Sequence, residues 1–171
     1  MTHPPLFDDI LSDTVETEGP VAVDRRGEAR IARGHPWIFR SDIVSDGGAT
    51  PGALVRVADP RGRPLGFGLW SSESEIRLRM IHRGESLSET WLKDRLEAAL
   101  AWRQQVAAGA EAYRAVHGEG DGLPSLVVDR YGDYLALQTL SQGTDRAKEE
   151  IVGVLVDLLA PKGIVERNDP K

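Results

Sequence analysis

Hydrophobic and polar positions alternate in short runs through the first half of the chain and change to a helical period near residue 86. Val21–Val23 runs outward into Asp24–Arg25–Arg26–Gly27, which reads as a turn, and Ala29–Ile31 predicts a returning strand. Leu54–Ala58 predicts a strand closed by Asp59–Pro60–Arg61–Gly62, whose Pro and Gly suit the special positions of a β-turn. Leu65 to Trp70 is apolar, and its two glycines predict a bulge or a close backbone approach. Ile76 to Met80 alternates cleanly, which puts Arg77 and Arg79 on the face opposite Ile76, Leu78 and Met80. Strands this short and closely spaced predict a small barrel. Ahead of them, Met1 to about Gly19 has no sustained period and reads as a flexible acidic arm.

From Ser86 the spacing is different. Ser86–Leu87–Ser88–Glu89 has the form of a capping box, and apolar residues from Leu92 to Val106–Ala107 recur at helical intervals up to Gly109. Trp91 and Trp102 are expected to pack that helix. Tyr113–Val116, Leu126–Asp129 and Tyr134–Leu140 predict strands, the last two joined at Arg130–Tyr131–Gly132–Asp133. A second helix is expected from about Asp145 to Leu159, then a strand at Ile164–Glu166. Ending on an apolar strand with nothing to cover it suggests truncation. The expected organisation is an arm (1–19), a barrel (20–85) and a central α/β domain (86–171).

Charge changes the picture more than composition does. The formal net charge of −6 argues against nucleic acid, yet the charges are segregated. Residues 1–19 hold five acids and no Lys or Arg, whereas residues 20–85 hold eleven Arg, no Lys and eight acids, a net of +3. Residues 86–171 hold ten basic and fourteen acidic residues, a net of −4. Local sign governs binding to an anionic polymer, and guanidinium forks grip phosphates in pairs. A high-GC genome would favour Arg codons too. Cys is absent, which excludes disulfides and thiolate chemistry and favours a reducing cytoplasm. No stretch has the length and apolarity of a membrane span.

Gly34 to Phe39, Glu119 to Asp133 and Glu166 to Asp169, in that order and spacing, together resemble one family, the large-subunit rRNA cytosine-C5 methyltransferases with an N-terminal PUA domain. Gly34–His35–Pro36–Trp37–Ile38–Phe39 resembles the family's HPW(I/V)F signature. Glu119 to Asp133 resembles its EGDGLPGLVVDRYGD stretch, with Ser125 in place of a Gly common there. Glu166–Arg167–Asn168–Asp169 resembles the ERND that precedes the family's catalytic domain. The resemblance implies an α+β chain: a PUA-like small β-barrel followed by a central α/β domain, with the Rossmann-like methyltransferase domain absent. It also implies S-adenosylmethionine as the cofactor of the full-length family. None is expected in this chain, which has no cysteine to attack a pyrimidine ring and no Gly-rich strand-to-helix turn.

The implied partner is structured RNA, with large-subunit rRNA first, in the cytoplasm. Neither membrane nor DNA is expected, and a homodimer stays open. The expected RNA contacts are Arg25, Arg26, Arg30, Arg33 and Arg40, with His35 and Trp37 beside them and Arg77 and Arg79 on the strand face. Each has a plainer alternative. The arginines can be a solvated surface neutralised by Asp24, Glu28 and Asp42. Trp37 can be core, and the face of Arg77 and Arg79 can pack on the central domain through Glu73 and Glu75. Gly118–Gly122 is expected to be a structural turn, since Leu123–Pro124 and a strand follow it rather than a helix. No catalytic, cofactor or metal residue is expected. The rival readings are a stand-alone RNA-binding PUA protein and a protein-interaction scaffold.

Overall fold

Val21–Val23 forms strand β1, but the polar run behind it opens a helix rather than a turn. This is seen in a computed structural model that describes residues 19–168, so the acidic arm up to Glu18 lies outside the described residues. Helix α1, Arg25–Ala32, starts at Asp24, whose Oδ1 accepts the backbone N–H groups of Arg26 and Gly27, each at 2.9 Å. The expected strand at Ala29–Ile31 is therefore corrected to helix. Asp serves both turns and N-caps, and the segment's one large apolar residue, Ile31, is too little to show a period.

The rest of the first unit, Met1–Glu89, is built on strands. They are β2 (Trp37–Phe39), β3 (Ile43–Ser45), β4 (Leu54–Ala58), β5 (Pro64–Trp70) and β6 (Ile76–His82). They pair in the order β2-β6-β5-β4-β1-β3, with β1 parallel to β4 and the other pairs antiparallel. Laid flat, the edges β2 and β3 would stand about 24 Å apart. Yet only the 3-10 turn Arg40–Asp42 joins them, a span of roughly 14 Å at most. The sheet must therefore curl, and it closes on a core of Val21, Val23, Ile38, Val55, Val57, Trp70 and Leu78. Gly66 sits at φ +147° where a Cβ would meet the His82 carbonyl oxygen at 2.1 Å. That is the close approach the glycines predict.

The second unit, Thr90–Lys171, begins with α2 (Trp91–Val106). Thr90 is its N-cap, so the expected capping box at Ser86–Glu89 lies ahead of the helix. Leu92, Leu96, Ala99 and Leu100 face the core and Trp91 packs at its margin, but Trp102 is 55% exposed and does not pack as expected. Strands β7 (Ala112–His117), β8 (Leu126–Tyr131) and β9 (Tyr134–Thr139) form an antiparallel run, with Tyr131 opposite Tyr134 across a tight turn. The expected second helix is two, α3 (Gln142–Arg146) and α4 (Lys148–Leu159), the first opened by a capping box between Ser141 and Thr144. Strand β10 (Gly163–Glu166) then returns parallel to β9.

The sheet order is β10-β9-β8-β7, and three of the four strands are antiparallel neighbours. The expectation of a central α/β domain is thus corrected. Local period predicts helices and strands but not pairing direction; the two-residue turn between β8 and β9 imposes one antiparallel pair, and the loop through Gly118–Asp121 returns β8 antiparallel to β7. Leu126, Val128, Leu135 and Leu137 alternate along β8 and β9 and meet Leu96, Ile151 and Leu155 of α2 and α4. The helices therefore cover one face of the sheet.

Candidate nucleic-acid interface

The arginines of the first unit divide into those already engaged and those that are not. Asp42, 1% exposed, sits behind α1 and receives two of them. Arg26 reaches it with Nη2 at 3.4 Å of Oδ1, while the same nitrogen donates to the Ser41 carbonyl at 2.8 Å. Arg30 Nε lies 3.0 Å from Oδ2, off the hydrogen-bond line, so that contact is ionic and Oδ2 receives no directed bond. The Arg30 guanidinium also lies 4.9 Å from the centre of the Phe39 ring. Arg26 and Arg30 thus clamp the helix onto the turn that joins β2 to β3.

Arg25 and Arg33, at the two ends of α1, are exposed and meet no carboxylate among the described residues. Gly34, at φ +83°, lies against the guanidinium of Arg83, which is likewise exposed and without a carboxylate partner among the described residues. Arg83 was not among the expected contacts. It is remote in sequence from the α1 cluster, and only the return of β6 brings it to Gly34. His35 is exposed and its Nδ1 accepts the backbone N–H of Trp37 at 3.1 Å, with the rings edge to face at 6.0 Å. Trp37 is half-buried, on the opposite side of β2 from the fully buried Ile38.

The remaining expected contacts lie elsewhere on the unit. Arg40 Nε is 3.2 Å from Glu75 Oε1, a pair exposed on both sides. Arg77 donates Nη1 to the Ser71 carbonyl at 3.3 Å and lies 5.9 Å from the Trp70 ring centre, with no carboxylate partner among the described residues. Arg79 is only 8% exposed and donates Nη1 to Ser71 Oγ and to the Ile76 carbonyl. So Arg77 and Arg79 are not alike, despite sharing a face. Arg63, unnoticed in the sequence, pairs with both Glu28 and Asp59.

The glycine-rich segment of the second unit is structural in its geometry. Gly118–Asp121 forms a 3-10 turn, and Arg103 of α2 donates Nη1 and Nη2 to the two oxygens of Asp121 at 2.7 Å each. The His117 backbone N–H adds a third bond to Asp121 Oδ2 at 2.6 Å. A methyl-donor cradle needs free backbone donors at a helix start, and this segment runs into Leu123–Pro124 with its carboxylate spent, so it does not fit S-adenosylmethionine. Among the described residues no cluster of three His, Cys, Asp or Glu is placed to hold a metal. The stretch ending Glu166–Arg167–Asn168 forms a polar knot. Asn168 accepts the Thr139 backbone N–H at 2.9 Å and donates to Glu166 at 2.7 Å, while Lys148 bridges Glu166 and Asp145 at 2.7 Å each. Asp169 lies outside the described residues.

Residues 21–83 match the PUA-like domain family, so the first unit carries a PUA-like domain. Ribosomal RNA large subunit methyltransferase I from Klebsiella pneumoniae is 34% identical over 147 residues, 83% of this chain and 37% of its own length. The protein of that name from Salmonella schwarzengrund is 32% identical over 165 residues, 93% of this chain and 41% of its own. The chain belongs to this PUA-containing rRNA methyltransferase family and spans about two-fifths of the length of these relatives.

Among solved structures, a Streptococcus mutans protein assigned to the SAM-dependent methyltransferases superposes with a TM-score of 0.75 at 19% identity. It covers 88% of this chain and 40% of that one. A methyltransferase solved with SAH gives 0.76 at 19%, with the same coverage. This likeness completes the correction to the expected fold class. Both sheets match together as one stretch of these structures, a PUA-like barrel plus a second sheet, and the second sheet does not stand out as a separate central α/β domain.

Proposed function

We propose that this chain holds structured RNA, with large-subunit rRNA first among candidates, and positions it for base methylation by an S-adenosylmethionine-dependent enzyme. The observation that carries the reading is the set of exposed arginines in the PUA-like unit, Arg25, Arg33 and Arg83, that meet no carboxylate among the described residues. Unspent guanidinium groups on one small domain are suited to phosphate contact, which fixes register without reading sequence. His35 and Trp37, beside them, offer an exposed imidazole and a half-buried indole to an unpaired base. The share of this chain in the reaction is binding, since it contains no cysteine to serve as the nucleophile of C5 methylation. Residues 20–85 then act as the RNA-holding module and residues 86–171 as the element that sets its distance from the chemistry.

A cytoplasmic location goes with this reading. No helix among the described residues is long and apolar enough to cross a membrane. The test is a salt titration of binding to structured rRNA fragments. Affinity should fall steeply with salt, and Arg25→Glu with Arg33→Glu should weaken it by about tenfold while lowering the salt slope by about one per lost phosphate contact. The thermal midpoint should hardly move, because neither side chain has a carboxylate partner to lose among the described residues. Absence of binding at low salt overturns the reading, and retention of a bound protein in its place would favour a scaffold.

A further inference from the structure

Edge strand β3 and the end of the β5–β6 hairpin leave between them a groove of about 520 Å³ on the PUA-like unit, lined by no residue of α1. One wall is β3, where Val44 is 58% exposed. The other is the end of the β5–β6 hairpin, with Trp70, Ser72 and Arg77, and Arg40 stands at the turn that joins β2 to β3. The backbone N–H of Arg40 donates to the Glu75 carbonyl at 2.8 Å, which fixes that turn against the hairpin loop.

We propose that this groove receives one unstacked nucleotide of a single-stranded RNA segment, its phosphate on Arg77 and Arg40 and its base against Val44. The proposal rests on the RNA-binding reading above and adds a second contact surface to it. Three observations support it. Arg77 lines the groove with no carboxylate partner among the described residues, its donors shared only with a carbonyl and an indole face. Arg40 is bound to a carboxylate that is itself 78% exposed, so a phosphate can displace Glu75 and leave that acid in water. β3 is an edge strand, and on the side away from β1 its backbone donors and acceptors have no neighbouring strand and can meet the edge of a base. Asp46 also lines the groove, but its Oδ1 accepts the Gly48 backbone N–H at 3.1 Å, which occupies part of its charge. The volume suits one nucleotide. A duplex, whose bases are stacked inward, has no use for the apolar wall that Val44 makes.

The experiment measures binding of the full chain to a short fluorescent single-stranded oligoribonucleotide and to a duplex of matching length. Val44→Asp should weaken the single strand by about tenfold and leave the duplex unchanged. A 4-thiouridine crosslink should map to residues 40–49 or 70–77. If Val44→Asp lowers the melting temperature, Arg77→Gln replaces it, since that change strands no carboxylate. Equal affinity of the variant and the parent for the single strand overturns the groove, as does an equal loss for both RNA forms. If the groove variant has no effect while Arg25→Glu with Arg33→Glu weakens structured RNA, the groove falls and the wider reading stands. If neither variant changes any binding, both fall.

Discussion

Arg103 of α2 grips both carboxylate oxygens of Asp121, with both side chains only 11% exposed. Its Nε also donates to the Arg114 carbonyl at 3.0 Å, so one guanidinium ties the helix to β7 and to the turn after it. The pair is nearly dry, so removing one partner leaves a charge that water reaches poorly. Asp121→Asn should lower the unfolding free energy by about 3 kcal/mol, read as a shift in denaturant midpoint. Arg103→Lys should cost nearly as much, because an ammonium cannot span both oxygens and the Arg114 carbonyl. A cost for either within the range of ordinary surface changes would show that the pair is idle.

The clamp on Asp42 predicts a contrast within α1. Arg30→Ala should destabilise the first unit by about 1–3 kcal/mol, since it weakens compensation of a buried carboxylate. Arg33→Ala, with no carboxylate partner among the described residues, should stay within about 0.5 kcal/mol of the parent. Thermal melts of the two variants compare them directly, and equal shifts would refute the division into engaged and free arginines.

Asp24 gives a pH dependence with a definite sign. The Gly27 N–H bond above all holds its carboxyl below the ordinary value of 3.8; burial opposes it, and the Arg26 side chain and N–H add to the lowering. Near that pH the unfolded chain binds more protons than the folded one, so stability rises with pH there. The contribution is complete above pH of about 4 and is lost as the pH falls through the lower folded value. Asp24→Asn keeps the cap and should flatten this acid limb, whereas Asp24→Ala should cost about 1 kcal/mol at neutral pH. Melts between pH 2 and pH 7 measure both.

Ser125 occupies a left-handed conformation, φ +66°, which disfavours any residue with a Cβ. Its carbonyl accepts the Leu140 N–H at 2.9 Å, so the backbone is held there by the start of the segment that follows β9. Ser125→Gly should therefore raise stability by about 0.5–1 kcal/mol, the relief of strain exceeding the entropy that glycine adds to the unfolded chain. A lower melting temperature would mean that the Ser125 hydroxyl matters more than the backbone.

What the sequence disclosed followed from how far apart the interacting residues stand. The alternation in β4 to β6 and the turn at Asp59–Gly62 are local, and both are present. Helix α1 was hidden because eight residues rich in Arg hold a single large apolar one, and its Asp24 cap looks like a turn. The arginine cluster was visible as composition, but Asp42 gathers two of them through contacts 12 and 16 residues away, which no local pattern shows. The turn at Gly118–Gly122 was expected, but the partner that holds it, Arg103, stands 18 residues before Asp121 and is invisible to a local pattern. The antiparallel pairing of β8 with β9 was implicit in their two-residue turn, to which the expectation of an α/β domain gave too little weight, whereas eight residues separate β7 from β8 and carry no such signal.

Gly66 sets how closely β5 and β6 can approach. With the His82 carbonyl where a side chain would be, the hairpin of β5 and β6 can seat only a hydrogen at that point. A slip of one residue would bring Leu65 or Phe67 there and turn every side chain of β6 to the opposite side. Arg77 would then exchange its place beside the groove for one facing the interior. The aim of a guanidinium eleven residues along the chain is in this sense set by an atom that is missing, so a side chain added at Gly66 should disturb the placement of Arg77 as well as the hairpin itself.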